Sequence, residues 1–332
     1  MRAYLVRRII LLIPTLLLVT ITVFLLVRLM PGDIVDQIVA DMGEQARGVD
    51  RTNIEHALGL DVPMHIQYLR WIGVLAAPDP ETGELRRNGI FQGNLGTSLR
   101  TGKTVTEEIV SRIPVTFELG LLSVIITNLV AWPVGVYSAI RQNTWLDYIG
   151  RSFAILGLAT PAFWLASMLI VFGGRYWDWA PRIEYVTFFD NPIENLKMFL
   201  LPAFLTGMAA SGALMRGLRT ITLEVIRQDY VRTAWAKGLR ERVIIIRHAL
   251  RNAMIPLITM MIPQLGVLIG GSVIMEQIFA LPGMGRYLLN MIARRDYLVV
   301  SGTNLLYASF TMFLILLTDI SYAWLDPRVR YR

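Results

Sequence analysis

The sequence predicts an all-α, polytopic membrane protein with six transmembrane helices, and three observations carry that prediction. Of the 332 residues, 54% are hydrophobic and only 17% are charged, whereas soluble domains carry about 25% charged residues. Mean hydropathy is +0.50. The missing charge is also concentrated, since long stretches hold no Asp, Glu, Lys or Arg at all. These features exclude a disordered chain, a collagen-like chain and an ordinary soluble enzyme. The absence of cysteine excludes a disulfide scaffold, a zinc–thiolate site, an iron–sulfur cluster and a cysteine nucleophile.

A bilayer core needs about 20 apolar residues per helix. Six charge-free segments meet that need, at 9–27, 119–140, 152–174, 198–215, 252–275 and 297–318. The first follows Arg2, Arg7 and Arg8 and so resembles a signal peptide. However, it outlasts the usual apolar region of about 7–15 residues and no A-x-A-like cleavage site follows, so it is expected to be a retained span. The fourth carries Pro202 and Gly207. The fifth carries Pro256 and Pro263, which a bundle tolerates where neighbours satisfy the freed carbonyls.

Basic residues set the orientation. With the N-terminus inside, the inner segments hold three in the N-tail and two around the second loop. They hold nine more between Arg216 and Arg251 and three in the C-tail, seventeen in all. The short outer loops hold six, and the long first outer loop at 28–112, with nine, is too long to vote. Both termini are therefore expected in the cytoplasm. The nine basic residues from Arg216 to Arg251 face only Glu224, Asp229 and Glu241, a balance of +6 against +7 for the chain. The excess charge thus belongs to one loop that faces anionic headgroups or a partner protein, and no nucleic-acid partner is expected.

One segment looks like a phosphate loop, from Gly96 to Gly102-Lys103-Thr104. Five residues separate its glycines where a P-loop has four. It also falls outside the membrane and follows no buried strand, so no ATP site is expected in this chain. The six spans contain no Asp, Glu or His, which leaves no mid-membrane carboxylate or imidazole for ion coupling. The histidines, His56, His65 and His248, all fall in loops and are expected to pack rather than bind metal; no metal site is expected.

The segment 223–256 is the most informative. Asp229 is expected to cap a short helix over 230–237, with Gly238 as its C-terminal stop. Val243, Ile244, Ile246, Ala249, Leu250 and Ala253 then form an apolar helical stripe with Arg242, Arg247 and Arg251 interleaved. A short helix, a glycine turn and a second helix make a compact knob, and the residues alone fit either a force-transmitting element or a loop lying on headgroups.

The run Tyr230-Val231-Arg232-Thr233-Ala234-Trp235-Ala236-Lys237-Gly238-Leu239, followed by Arg247-His248-Ala249-Leu250-Arg251-Asn252-Ala253, resembles the EAA loop of ABC-importer permeases. The resemblance is to the dipeptide/oligopeptide/nickel family, and to its first, B-type transmembrane subunit. Ala234 and Gly238 match the general motif, while Arg232 and Thr233 replace its Glu and first Ala. Further matching runs are Arg28-Leu29-Met30-Pro31-Gly32-Asp33, Leu58-Gly59-Leu60-Asp61, Gly93-Asn94-Leu95-Gly96-Thr97-Ser98, Pro161-Ala162-Phe163-Trp164, and 276–286.

The resemblance implies a type I ABC-importer permease fold in a bacterial or archaeal cytoplasmic membrane. It implies half of a translocation channel for peptides, with nickel, glutathione and oligosaccharides as alternative cargoes in the same family. An ion-coupled secondary transporter is the alternative from outside it. The implied partners are a second related permease subunit, two ATP-binding subunits that hold the Mg-ATP, an extracytoplasmic substrate-binding protein and membrane lipid. The chain itself would be no enzyme and carry no cofactor. It implies an N-tail and first helix at 1–30, an outer helical subdomain at 31–114 and a permease core at 115–332 with a coupling loop at 216–253.

Within that loop, 230–241 would form the coupling helix, engaging the ATP-binding subunit through Tyr230, Arg232, Ala234, Lys237, Gly238, Leu239 and Glu241. The outer gate would lie at Glu276, Phe279, Pro282, Gly283 and Gly285, with Phe279 and Leu281 able to plug a constriction. Glu276 reads either as a contact for a substrate amine or as a solvated helix cap. Asn128 and Gln264, the most polar side chains inside the spans, either line the path or hydrogen-bond between helices. In the outer loop, Gly59 is expected to end a first short helix and Pro63 to start another through 64–75, and Val105, Ile109 and Ile113 form a third stripe ending before Pro114. That loop either docks the binding protein or merely covers helix ends.

Overall fold

The computed structural model describes residues 2–28, 55, 60–78, 84–98, 100–182 and 184–325. The motif residues 29–33, His56, the proposed stop at Gly59 and the basic C-tail lie outside the described residues. In chain order the elements are α1 (Arg2–Arg28), α2 (Met64–Trp71), the strand pair β1 (Ala77–Pro78) and β2 (Leu85–Arg86), and α3 (Val105–Ile140). There follow α4 (Trp145–Ala159), α5 (Ala162–Trp177), α6 (Pro192–Ile226) and α7 (Asp229–Ala236). The chain continues through a π-helical stretch (Ile244–Leu250), α8 (Arg251–Met261), a 3₁₀ turn (Ile262–Gly266), α9 (Val267–Gly270), α10 (Val273–Ile278), α11 (Met284–Ala293) and α12 (Tyr297–Leu325).

Among the described residues, five helical segments are long and apolar enough to cross a bilayer: Val6–Leu26, Val105–Ile140, Pro192–Ile226, Pro256–Ile278 and Tyr297–Ser321. The pair α4–α5 makes a sixth if its two halves count as one span. The span expected at 152–174 is thus bent within its length, because the halves meet at 85°. The cause is Pro161. It pushes Thr160 into extended backbone (φ −98°, ψ 117°) and itself caps α5, so the first helix ends at Ala159. Pro114 has the opposite outcome. The helix expected to stop before it runs on through it to Ile140, since a proline inside a membrane bundle costs little when neighbouring groups satisfy the carbonyl it orphans.

The chain divides into two compact units, the first comprising Met1–Leu11, Arg112–Tyr287 and Phe310–Arg332 and the second Leu12–Ser111 and Leu288–Ser309. In the first unit α6 is the central helix, with 56% of its span buried within the chain against 11% for Pro256–Ile278. Helix α6 starts on Asn191, whose side chain accepts from Glu194 N, with Pro192 at the first helical position. Small residues bring the helices together: a methyl group on Gly207 would meet the Ser123 carbonyl oxygen at 2.8 Å, and one on Gly212 the Ala154 carbonyl at 2.6 Å. One apolar core gathers Leu119, Phe199, Met275 and Leu281; another gathers Leu214, Leu218 and Leu257. Arg8 pairs with Asp319 at 3.0 Å, tying the first helix to the last.

In the second unit, Phe24 packs edge-on against Tyr68 at 5.5 Å and tilted against Trp71 at 5.7 Å, and the hydroxyls of Thr20 and Tyr68 lie 2.8 Å apart. Helix α2 stops at Trp71, short of the expected residue 75. Gly73 takes φ +85°, and its N–H and that of Val74 close back onto the Arg70 and Leu69 carbonyls. The phosphate-loop lookalike lies here too. Its Thr97 and Thr104 are bridged, and its Ser98 and Arg100 contact the carboxylate of Asp296. Asp296 is fully buried and accepts from Ser98 Oγ at 2.5 Å and from Arg100 N at 3.3 Å. The loop thus meets an anion through one hydroxyl and one backbone N–H, and that anion is a side chain of the same unit.

Candidate functional site

The basic loop folds as a knob. Helix α7 starts one residue earlier, and ends one residue earlier, than the sequence suggested. Gln228 precedes it without a side-chain cap bond, and Asp229 belongs to the first turn instead of capping it. A carboxylate there still complements the helix dipole. The stop is as expected: Gly238 adopts φ +74°, its N–H reaches the Trp235 carbonyl at 2.9 Å, and Leu239 N reaches Ala234 O at 3.4 Å. That pair of bonds is a Schellman closure, which a residue with a β-carbon would strain. The run 230–241 is therefore not one helix. Glu241 opens the next one and pairs with Arg141 at 3.4 Å.

Helix α7 turns Val231 and Ala234 inward against Ile244, all three buried. The outward face carries Tyr230, Arg232, Thr233, Trp235, Lys237 and Leu239. Tyr230 accepts a hydrogen bond from Asn252 Nδ2 at 2.9 Å, which ties the outer end of the knob to α8. Arg232 lies 3.6 Å from the exposed Asp229. Trp235, 48% exposed, is a residue the sequence reading passed over. Helical periodicity gave no signal for it, since position 235 lies one turn beyond the buried Val231 and is expected on the same face.

The segment after the fifth span is built around one carboxylate. Glu276 is 0% exposed; this corrects the reading of it as a solvated cap. Its Oε1 accepts from Thr116 Oγ1 at 2.8 Å and its Oε2 from the backbone N–H of Arg286 at 2.9 Å. The Thr116 hydroxyl oxygen in turn accepts from Met284 N at 2.8 Å. The turn can wrap this closely because of its glycines: a methyl group on Gly283 would lie 2.4 Å from the carboxyl carbon, and one on Gly285 3.0 Å from Oε2. Ala280 takes φ +56°, and the Arg286 guanidinium donates to its carbonyl. Phe279 and Leu281, 3% and 0% exposed, pack with Val115, Leu119 and Phe199 as core residues rather than standing as a plug in an opening. Pro282 is exposed.

The two polar residues of the spans behave differently. Asn128 stays within its own helix, donating to Val124 O at 2.8 Å and accepting from Trp132 Nε1 at 3.1 Å. Gln264 lines a cavity of about 350 Å³ together with Ser123, Thr127, Thr206, Pro263 and Gly271, among others. Its amide nitrogen makes a long 3.5 Å approach to Met260 O, and its Oε1 has no partner among the described residues.

A second buried carboxylate was missed altogether. Asp147, 0% exposed, is gripped by Arg219 through two bonds of 2.9 Å, by the Ser138 hydroxyl and by Asn143 N at 3.0 Å. The available signal was Thr144-Trp145-Leu146-Asp147, a capping-box pattern; Thr144 does cap α4, accepting from Asp147 N.

Comparison with known proteins follows the same lines. Residues 131–331 match the family described as binding-protein-dependent transport system inner membrane component. Residues 1–120 match the N-terminal part described for such membrane components. The chain is 38% identical over 331 residues to a putative peptide transport system permease protein of Brucella abortus (strain 2308), covering 100% of both chains. It is 35% identical over 351 residues to a dipeptide transport system permease protein of Alkalihalophilus pseudofirmus, again over 100% of both. To a glutathione transport system permease protein of Salmonella paratyphi A it is 34% identical, over 99% of each chain. With two family matches reaching between them from residue 1 to residue 331, the chain belongs to the binding-protein-dependent transport system inner membrane components.

Proposed function

We propose that this chain is the permease subunit of an ATP-driven importer, forming half of a translocation channel for peptides delivered by an extracytoplasmic binding protein. The observation that carries the reading is the knob: α7 is anchored by Val231 and Ala234, locked by the Gly238 closure, and presents an exposed aromatic and basic face. Relatives over the full length are named for peptide, dipeptide and glutathione transport, all peptides in the chemical sense. One of two ATP-binding subunits would dock on that face, with Arg232 and Lys237 meeting acidic or polar groups and Trp235 seated in an apolar hollow. The basic loop and both termini then lie in the cytoplasm, in keeping with the distribution of Lys and Arg.

A second, related permease would complete the channel. The Pro256–Ile278 span supports this, because only 11% of its residues are fully buried within its own chain and its backbone is broken. Non-helical backbone at membrane depth persists where it is buried in protein or lines a water-filled cavity. The segment 276–286 would form the outer gate. ATP hydrolysis on the partners would move the knob as a rigid body and swing the two halves between inward and outward openings.

The test is Gly238→Val in the assembled complex in proteoliposomes. Peptide uptake driven by ATP should be lost while the variant still inserts and purifies with its partners. Normal uptake would overturn the coupling role. The chain reconstituted alone should move no peptide, and flux from that preparation would make it a secondary transporter instead.

A further inference from the structure

We infer that the cavity at Gln264 is a binding subsite for the main-chain amide of the passing peptide. The inference rests on the importer reading above and adds a chemical specificity to it. Three features of the first unit carry it. The cavity, at about 350 Å³, falls at the small end of the range of about 300–1,000 Å³ for small-molecule sites. It sits where the fifth span abandons the α-helical ladder, tightening to 3₁₀ over Ile262–Gly266 and breaking at Gly271 (φ 59°, ψ −172°). Broken helices inside a membrane bundle are where transported solutes are held.

The lining is polar without being charged. No Asp, Glu, Lys or Arg is among the residues that line it. A peptide's termini and charged side chains therefore find no counter-ion there, whereas its amides find partners. The wall hydroxyls give their protons to backbone carbonyls: Ser123 to Leu119 O at 2.7 Å, Thr127 to Ser123 O at 2.8 Å and Thr206 to Pro202 O at 2.8 Å. Their oxygens are left as acceptors. Gln264 alone among the lining side chains offers both a donor and an acceptor on one planar group, and its Oε1 is buried without a partner among the described residues. A primary amide and a peptide amide are complementary, N–H to O=C and C=O to H–N, and buried polar groups are otherwise hydrogen-bonded. Recognition of this kind reads what all peptides share and ignores their side chains.

The experiment uses the whole complex in proteoliposomes with saturating binding protein, and measures radiolabelled trialanine moved per ATP hydrolysed. A second substrate is the analogue with the central amide replaced by an ester. Gln264→Leu should lower the trialanine-to-ATP ratio about fivefold or more, the loss of two neutral hydrogen bonds, with stimulated ATP hydrolysis within about twofold of wild type. For the ester, the wild-type ratio should already be low and Gln264→Leu should lower it little further, as a double-mutant cycle requires. Gln264→Glu keeps the size but loses the amide donor, and decides in the same way if the leucine variant fails to assemble. Equal ratios for wild type and variants, or an equal drop for both substrates, would overturn the subsite. If the wild-type complex moves no peptide at all, the importer reading itself fails.

Discussion

Asp147 and Glu276 are both 0% exposed and lie in the same unit, yet they are held by opposite means. Asp147 has a guanidinium in bidentate contact, plus a hydroxyl and a backbone N–H, joining the end of α3, the start of α4 and the middle of α6. Glu276 has no cationic partner among the described residues and relies on one threonine hydroxyl and the amides of a glycine turn. A charge pair in low dielectric is costly to open, while a hydrogen bond from a neutral donor to a carboxylate contributes about 1.5–3 kcal/mol. The first arrangement suits a joint that stays closed. The second suits a fastening that a moving turn undoes, which is what the outer-gate proposal needs at 276–286.

The comparison breaks first at Arg219. Replacement by Met leaves a buried carboxylate without its partner, and the expected loss of stability is about 3–5 kcal/mol, read as a large drop in melting temperature of the detergent-purified protein. Adding Asp147→Leu to Arg219→Met should recover most of it, because the charge and its partner then leave together. A single variant as stable as wild type would show that the pair braces nothing.

Gly283→Ala comes next. The added methyl would meet the Glu276 carboxyl carbon at 2.4 Å, and that carboxyl is fixed on both oxygens, so the turn itself must move. A cost of about 1–3 kcal/mol is expected from overpacking, with peptide uptake falling more steeply than stability. Gly270→Ala is the control in the same unit, since nothing lies within 4 Å of its added carbon. It should be close to neutral in melting temperature and in uptake. If both alanines behave alike, the turn is not clamped on Glu276.

Thr116→Val removes the hydroxyl that links Glu276 to Met284 N. It should cost about 1–2 kcal/mol, the size expected for orphaning a buried backbone donor and losing one bond to a carboxylate, again measured by thermal melting.

These carboxylates also mark where sequence reading stops. Apolar run length located the spans, because bilayer thickness imposes a length that composition alone reveals. Gly238 was legible as a stop because only a residue without a β-carbon takes φ +74° at no cost. Pro161 and Pro114 were not distinguishable, although one bends the chain by 85° and the other lies inside a continuous helix. What separates them is whether tertiary neighbours accommodate the proline, and a sequence does not print its neighbours. Glu276 was legible as a position of interest and illegible as a buried group, since its partners come from residues 116 and 286. Asp147 and Arg219 stand 72 residues apart, and their meeting depends on how α4 packs against α6 through Gly212 and Ala154.

The smallest expected effect sharpens the comparison most. Glu276→Gln can keep every bond. The new carbonyl oxygen faces the Arg286 N–H, the new NH₂ faces Thr116 Oγ1, and the threonine turns from donor to acceptor there. The Thr116 oxygen has two lone pairs, one of them already serving Met284 N, and its own proton can return to a carbonyl of its helix, as threonine hydroxyls do. The loss should be no more than about 1 kcal/mol. The same isosteric change at Asp147 cannot be absorbed, because an amide would turn its N–H groups toward the donors of Arg219, and about 3 kcal/mol or more should be lost. Melting curves of the two variants side by side give the answer directly. If Glu276→Gln proves the costlier, its negative charge is essential to the fold, and the contrast between a joint locked by a cation and a releasable fastening held by neutral donors is wrong.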